Sequence, residues 1–269
     1  VDLSTNEETQ LTDSKEESFF VRGYSPNTGE VIYSADKGGN ENSHIYLIRE
    51  GNSIDLTPGE NTKASYVGWT NDELGMYIIS NSRDPRFFDL YKIDIETLES
   101  EMVFKNDSGY NLNSISNNDR YLVLSLNLSR SEQKLFLYDV KSKQQVEISN
   151  QAANFSGQNF DKNDENYFYT TNYDSEFYYL MSYNLKNGER STVYKTNWDV
   201  EFSYLSKNNS YRVIAVNEDA QNKLIIKNMS DQSDLNLIGF ENMNINSVGF
   251  SDDEKLLRVS AGSPNSPGD

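Results

Sequence analysis

The chain has 269 residues, with 42 acidic against 24 basic side chains and a formal net charge of −18 at pH 7. Nucleic-acid binding needs a basic stripe whose contacts release counterions, so a surface this acidic argues against DNA or RNA as a partner. The absence of Cys excludes a disulfide framework and a thiolate metal site but leaves cytosol and bacterial periplasm equally open. With 36% apolar residues and no long apolar run, no membrane insertion is expected. The acidic residues are spread over many turns, which favours a role in solubility over attraction to a cationic partner.

In chain order, the first feature is a short N-terminal stretch. Leu11-Thr12 lies 45 residues before Leu56-Thr57, and residues 1–3 align with 46–48. Then a pattern repeats six times. A small or acidic residue ends an apolar stretch before a polar turn at Ser25, Thr70, Ser116, Asp161, Ser206 and Ser251, at intervals of 45, 46, 45, 45 and 45 residues. The β run after each turn keeps step at Tyr33, Ile78, Leu124, Tyr169, Ile214 and Val259. A third series holds Ile45, Leu90, Leu135, Leu180 and Leu224. A period of about 40 to 50 residues means a solenoid, a propeller or an array.

Each unit reads as four short strands. In the second copy, Tyr66, Val67 and Trp69 lead to the turn Asn71-Asp72-Glu73, and a strand runs over residues 76–79. A polar loop at 81–86 follows, then Leu90, Tyr91 and Ile93, a turn at 96–99 and a closing strand at 101–104. Runs of β-branched, aromatic and aliphatic residues bounded by Asn, Asp, Gly and Ser are strands, and no window holds an apolar stripe at helical spacing. The expected fold is therefore all-β, a β-propeller of four-stranded blades. Blades are expected at about 19–61, 62–106, 107–151, 152–197 and 198–240. A sixth, composite blade would join 241–269 to 1–18, closing an otherwise open edge. The same pattern fits a piece of a larger ring. The 18 Tyr and 13 Phe supply aromatic volume for packing sheet on sheet.

Little in the chain points to catalysis. There is no Gly-x-Ser-x-Gly elbow, and the one histidine, His44, sits at a strand start beside the packing residues Ile45 and Tyr46. Asp161, Asn163, Asp164 and Glu165 have the chemistry of a calcium loop, but they lie in a turn that every repeat makes polar. Trp69 and Trp198 read as packing residues. No cofactor is expected.

The segments NSRDPRFFDLYKID (81–94), SEFYYLMSYNLKNGE (175–189), TNWDVEFSYLS (196–206) and YRVIAVNEDA (211–220) resemble the propeller of prolyl oligopeptidase family serine peptidases, among them bacterial dipeptidyl aminopeptidases and acylaminoacyl-peptidases. SADKGGN with HIYLI (34–48) and DLTPGE (55–60) also resemble repeats of TolB-like propellers. The peptidase resemblance covers nearly the whole chain. It implies an N-terminal propeller over a C-terminal α/β-hydrolase domain that carries Ser, Asp and His. This sequence ends before such a domain, so no catalytic residue is carried over and the chain alone is expected to be inactive. What the resemblance implies is an accessory role, limiting entry to short peptide substrates, with the hydrolase domain of the same polypeptide as partner. In dipeptidyl peptidases a glutamate pair on a propeller insertion holds the substrate amine. Glu7-Glu8 and Glu16-Glu17 do not stand on such an insertion, and that role is not transferred to them.

The loop between second and third strands is the expected recognition element, since loops on a rigid scaffold collect binding residues. That loop carries Arg83, Asp84 and Arg86 before Phe87-Phe88 in the second repeat, Asp174 and Glu176 in a later one, and Glu218 and Asp219 in another. The expected substrate-binding set is Arg83, Arg86, Glu176, Glu218 and Asp219. The arginines would hold a peptide carboxylate and the acids an amine. The competing reading is that Arg83 and Arg86 pair with neighbouring acids to fix the loop. Three function classes stay open: the non-catalytic propeller of a serine peptidase, a TolB-like protein-binding scaffold, and a carbohydrate-active propeller enzyme, for which metal-binding histidines are missing.

Overall fold

The computed structural model describes residues 5–8, 10–13, 17–240 and 243–262. By its own contacts the chain divides into two compact units, Val1–Gly109 and Tyr110–Asp269. Among the described residues every regular element is a strand, and every strand pairing within a sheet is antiparallel between chain neighbours.

The first unit holds two four-stranded meanders. One comprises β1 (Phe20–Tyr24), β2 (Val31–Ala35), β3 (His44–Arg49) and β4 (Asn52–Asp55). The other comprises β5 (Ala64–Trp69), β6 (Gly75–Ser80), β7 (Asp89–Asp94) and β8 (Ser100–Phe104). Its core joins Ile32, Ile45 and Leu47 of the first sheet to Ala64, Met76, Ile78 and Ile93 of the second, with Trp69 packed at the margin. Burying each large aliphatic side chain contributes about 1.5–3 kcal/mol.

The second unit continues the pattern. Its third sheet is β9 (Asn111–Ile115), β10 (Tyr121–Asn127), β11 (Gln133–Asp139) and β12 (Gln144–Glu147). The fourth is β13 (Phe155–Phe160), β14 (Asn166–Thr171), β15 (Tyr179–Asn184) and β16 (Arg190–Tyr194). The fifth has three strands, β17 (Asp199–Leu205), β18 (Tyr211–Glu218) and β19 (Gln221–Asn228). The sixth has two, β20 (Asn244–Phe250) and β21 (Leu257–Gly262). Three apolar clusters fill the spaces between successive sheets: one around Leu135, Ile148, Tyr167 and Tyr169, one around Phe168, Leu180, Ile214 and Val216, and one around Val213, Ile226 and Val248. Alternation along β18 explains the last two, because Ile214 and Val216 face one way and Val213 the other.

The six periodic turn residues have one physical role. In each, the backbone N–H donates to the carbonyl five residues on, from Ser25 to Glu30 through Ser251 to Leu256, at 2.7–3.0 Å. The side-chain oxygen then accepts a second amide across the turn. Ser116 Oγ takes the N–H of Tyr121 at 2.8 Å, Ser206 Oγ that of Tyr211 at 2.9 Å, and Thr70 Oγ1 that of Gly75 at 3.0 Å. Three residues into five of the turns the backbone is left-handed, at Glu73, Asp119, Asp164, Asn209 and Glu254. The first turn uses Gly29 instead. These turns also touch their neighbours. Asn27 Nδ2 donates to the Glu73 carbonyl at 3.0 Å, and the Asp164 carboxylate accepts Asn117 N–H and Nδ2 and Asn118 N–H at 2.8–2.9 Å. Asp161 accepts from Glu165 N–H and Asn166 Nδ2. The acids read as a candidate calcium loop thus hold turns together.

The core series are buried as expected at Tyr33, Ile78, Leu124, Tyr169 and Ile214 and at Ile45, Leu90, Leu135 and Leu180, while Val259 and Leu224 are half-buried. Three expectations need correction. The fifth sheet carries three strands among the described residues, because residues 229–240 form turns and one isolated bridge, Lys227 with Asp234, instead of a fourth strand, whereas the two strands of the sixth are the C-terminal part of the expected composite blade. Leu11 and Thr12 belong to no strand, although their spacing matches Leu56-Thr57. Trp198 is 37% exposed rather than buried. Residues 1–3 and Glu16 lie outside the described residues.

Candidate functional site

The ends of the sheets opposite these turns carry the loops between second and third strands. In the first unit the loop at 81–88 is built around Asp89, which is fully buried at the start of β7. Arg83 grips it bidentately, Nε to Oδ2 at 2.6 Å and Nη2 to Oδ1 at 2.8 Å, and also donates to the Asn106 carbonyl at 3.0 Å. Asn106 N–H donates to the same carboxylate at 2.7 Å, and Asn106 Nδ2 donates to the Phe88 carbonyl. The Asp89 hydrogen bond raises the Arg83 pKa above its already high ordinary value. Arg83 therefore fixes the loop. Arg86 is different: its side chain is 76% exposed, pairs with Asp84 at 2.7 Å and lies over the Phe87 ring. Its hydrogen bonds hold the Asp84 carboxyl well below the usual carboxylate range.

In the second unit Glu176 is exposed on the loop between β14 and β15. Glu218 ends β18 and pairs with Lys223 at 2.8 Å. Asp219 and Ala220 are not a loop but the two central residues of a tight hairpin turn, both with positive φ, 53° and 60°. That is the type I′ geometry favoured by strand twist. The structure groups Arg83 with Arg86 on one loop of the first unit, and places Glu176, Glu218 and Asp219 in the second.

A cleft of about 420 Å³ opens at this end of the second unit, lined by Gln133, Ser156, Thr170, Tyr178, Asp199 and Glu201 among others. Chain order explains why these residues meet, since the cleft collects the beginnings of β11, β13 and β17 and the end of β14. Tyr178 precedes β15 and is tied to β17 twice, its N–H donating to Asp199 Oδ1 at 2.9 Å and its carbonyl accepting from Val200 N–H at 3.0 Å. The pairing of β17 with β18 shifts register between Val200 and Phe202, so Glu201 is the bulged residue, and bulges re-aim side chains. Its Oε1 accepts from Asn217 Nδ2 at 3.2 Å. Exposed aromatic rings, Tyr173 and Trp198, stand on the flanking segments, and Trp198 leans on Phe177 at 6.2 Å. Two carboxylates and aromatic faces form a surface suited to an ammonium group. Sequence reasoning missed Asp199, Glu201 and Tyr178. The signal was the acid, apolar, acid alternation at 199–201, but a bulge is invisible to a period-two pattern.

His44, at the start of β3 in the first unit, has its Nδ1 2.7 Å from Asp55 Oδ2 and its ring beside Tyr46, a strand-end pairing.

Comparison with known proteins gives a consistent picture. Residues 12–269 match the family described as prolyl oligopeptidase, N-terminal beta-propeller domain. Dipeptidyl aminopeptidase BIII of Pseudoxanthomonas mexicana is 33% identical over 88 residues, which is 32% of this chain and 12% of that protein. A structure from a structural and mechanistic study of two prolyl endopeptidases superposes with a TM-score of 0.74 at 10% identity, covering 96% of this chain and 40% of that one. TolB from Acinetobacter baumannii gives 0.55 at 13% identity, over 92% of this chain and 60% of that one. At such identities the solved structures establish the fold, a β-propeller. The chain spans 12% of the dipeptidyl aminopeptidase and less than half of the prolyl endopeptidase.

Proposed function

The chain belongs to the prolyl oligopeptidase N-terminal β-propeller family, and from that premise we propose that it admits and orients peptides for a serine-hydrolase domain of the same polypeptide, itself taking no part in bond cleavage. The observation that carries this reading is the family match over residues 12–269. The cleft at the loop end of the second unit supports it. Asp199 and Glu201 line that cleft and Glu176 is exposed on the β14–β15 loop of the same unit, carboxylates suited to a free peptide amine; in the first unit, Arg86 is exposed and suited to a carboxylate. Arg83 serves by holding the loop that presents Arg86. Glu218 and Asp219 contribute negative potential at the β18–β19 turn of the second unit. The blade count, six with the last one composite, belongs to the same proposal.

The test uses the polypeptide extended past Asp269 to its natural stop. A serine-hydrolase probe should label that form, and peptides with a free amine should be cleaved. Glu176→Ala combined with Glu201→Ala should raise KM for free-amine peptides by about tenfold, with kcat and the N-acetylated peptides little changed. Equal effects on both peptide classes would remove the amine role. An extended form that neither labels nor cleaves would favour the second reading, a protein-binding scaffold. The likeness to TolB supports that alternative.

A further inference from the structure

The register of the repeats places Val31, Met76, Leu122, Tyr167, Arg212 and Leu257 at one equivalent position, two residues before the core series of Tyr33 and its counterparts. Four of the other five are buried core residues, and Leu257 is packed in an apolar cluster. Arg212 is buried to 3% exposure as well, yet it is a cation. A buried charge is costly unless paired, and a hydrophobic residue of similar volume at such a site is as stable or more so. Arg212 has no such pairing. No carboxylate among the described residues lies within ion-pair distance of its guanidinium. Nη1 donates to Ser203 Oγ at 3.3 Å, and Nε is buried with no hydrogen-bond partner. The guanidinium carbon lies over the Phe168 ring, 3.9 Å from its centroid. Burial draws its pKa down to about 10, with Asp161 opposing from a distance.

The guanidinium lines a cavity of about 320 Å³ between the fourth and fifth sheets. Lys227 supplies a second cation to the wall, held by Asp234 at 2.7 Å, and Ser182 adds a hydroxyl. The rest of the lining mixes the apolar Phe168, Val193, Ile214 and Met229 with the amides of Asn166 and Gln232. We propose that this cavity binds an organic anion, a carboxylate with a short apolar body, whose head group pairs with Arg212 while its body packs on Phe168 and Ile214. A planar guanidinium with unpaired donors matches a carboxylate bidentately. The mixed lining favours an apolar acid over an inorganic oxyanion, whose whole surface would need polar partners.

The experiment follows the melting temperature and the Arg212 Nε–H resonance of the protein as isovalerate is titrated against sodium chloride at matched ionic strength, with neutral isovaleramide as control. Isovalerate should saturate with a Kd on the order of 1 mM and move the Nε–H signal, and the amide should do neither. Arg212→Met should fold at least as well, since Met76 occupies the same place in the second repeat, and should lose binding at least tenfold. Lys227→Gln, a second variant on the half-exposed wall, should weaken binding less. N-acetyl-alanyl-valine separates the two sources of such a carboxylate: binding comparable to isovalerate assigns a peptide C-terminus, and binding of isovalerate alone assigns a free acid. No saturable response to either carboxylate beyond chloride, or an equal response in Arg212→Met, overturns the proposal.

Discussion

At one end of the sheets, the turns that begin at Ser25, Thr70, Ser116, Asp161, Ser206 and Ser251 repeat a single hydrogen-bonded ring six times. At the other end, the connections differ in every repeat. The loop at 81–88 is locked by an ion pair, the one at 172–178 carries an exposed acid, and Asp219-Ala220 is a bare two-residue turn. The turn end answers one local problem, reversing the chain between the first two strands with every amide satisfied, and that problem has one economical solution. The loop end is released from that demand, and there the chain has placed its cleft, the acids Glu176, Asp199 and Glu201 and its exposed rings. Periodic chemistry here marks scaffold, and departure from the period marks places where recognition can be built.

The largest expected effect breaks the loop end where it is most scaffold-like. Asp89→Ala removes a fully buried carboxylate that accepts from two Arg83 nitrogens, the Asn106 N–H and the Tyr91 hydroxyl. The Arg83 guanidinium loses its bidentate partner and keeps only the contact with Asp107 at 3.1 Å, and losing a buried carboxylate that accepts several charge-assisted hydrogen bonds costs about 1.5–3 kcal/mol. Denaturant titration should show that loss. Arg86→Ala, whose partner is the exposed pair with Asp84, should leave the curve almost unmoved. A small effect of Asp89→Ala would mean that the loop does not depend on its anchor and that the two arginines are equivalent after all.

Much of the turn end was legible in the sequence. Ser25 and its counterparts stood out because a hydroxyl or carboxylate that caps its own turn can be recognised from residue type and spacing alone. The core series at Tyr33 and Ile45 were legible for a similar reason: a strand buried on both faces needs apolar residues wherever it lies. The loop end was not legible. Arg83 and Arg86 look alike in sequence, and only the position of the buried Asp89 separates the anchor from the exposed cation. Glu201 gains its direction from a bulge, and Asp219-Ala220 forms a type I′ turn without the Asn-Gly or Asp-Gly signal that announces one. Arg212 carries no distinguishing signal in the sequence, and only the burial of its counterparts Val31, Met76, Leu122 and Tyr167 sets it apart.

The next test asks how far the regularity of the turn end depends on side chains. Asp164 and Glu73 are equivalent residues, both with left-handed backbone, at φ 54° and 59°. Asp164 is buried, and its carboxylate accepts two amides and a side-chain donor from the turn before it. Asp164→Gly should relieve the backbone but orphan those donors, for a net loss of about 1–2 kcal/mol. An unchanged or raised melting temperature would show that water replaces the carboxylate at no cost, and that the stitching between turns is incidental.

Glu73 should give the smallest effect and the opposite sign. Its side chain is exposed, and what it offers its neighbour is a backbone carbonyl, which accepts from Asn27 Nδ2 and survives any substitution. A left-handed conformation disfavours a residue with a Cβ by about 1 kcal/mol, whereas glycine adopts it freely, as Gly29 does in the first turn. Glycine also gains freedom in the unfolded chain, which offsets part of that relief. Glu73→Gly should therefore raise stability by a few tenths of a kcal/mol, about 0.5 at most, as read from paired denaturant titrations with Asp164→Gly. If both variants lose stability to the same degree, the equivalent turns are held by backbone strain that side chains do not modulate. Opposite signs would show that one backbone solution, repeated six times, carries different side-chain duties in different repeats, which is the same principle that allows the loop end to diverge on a common scaffold.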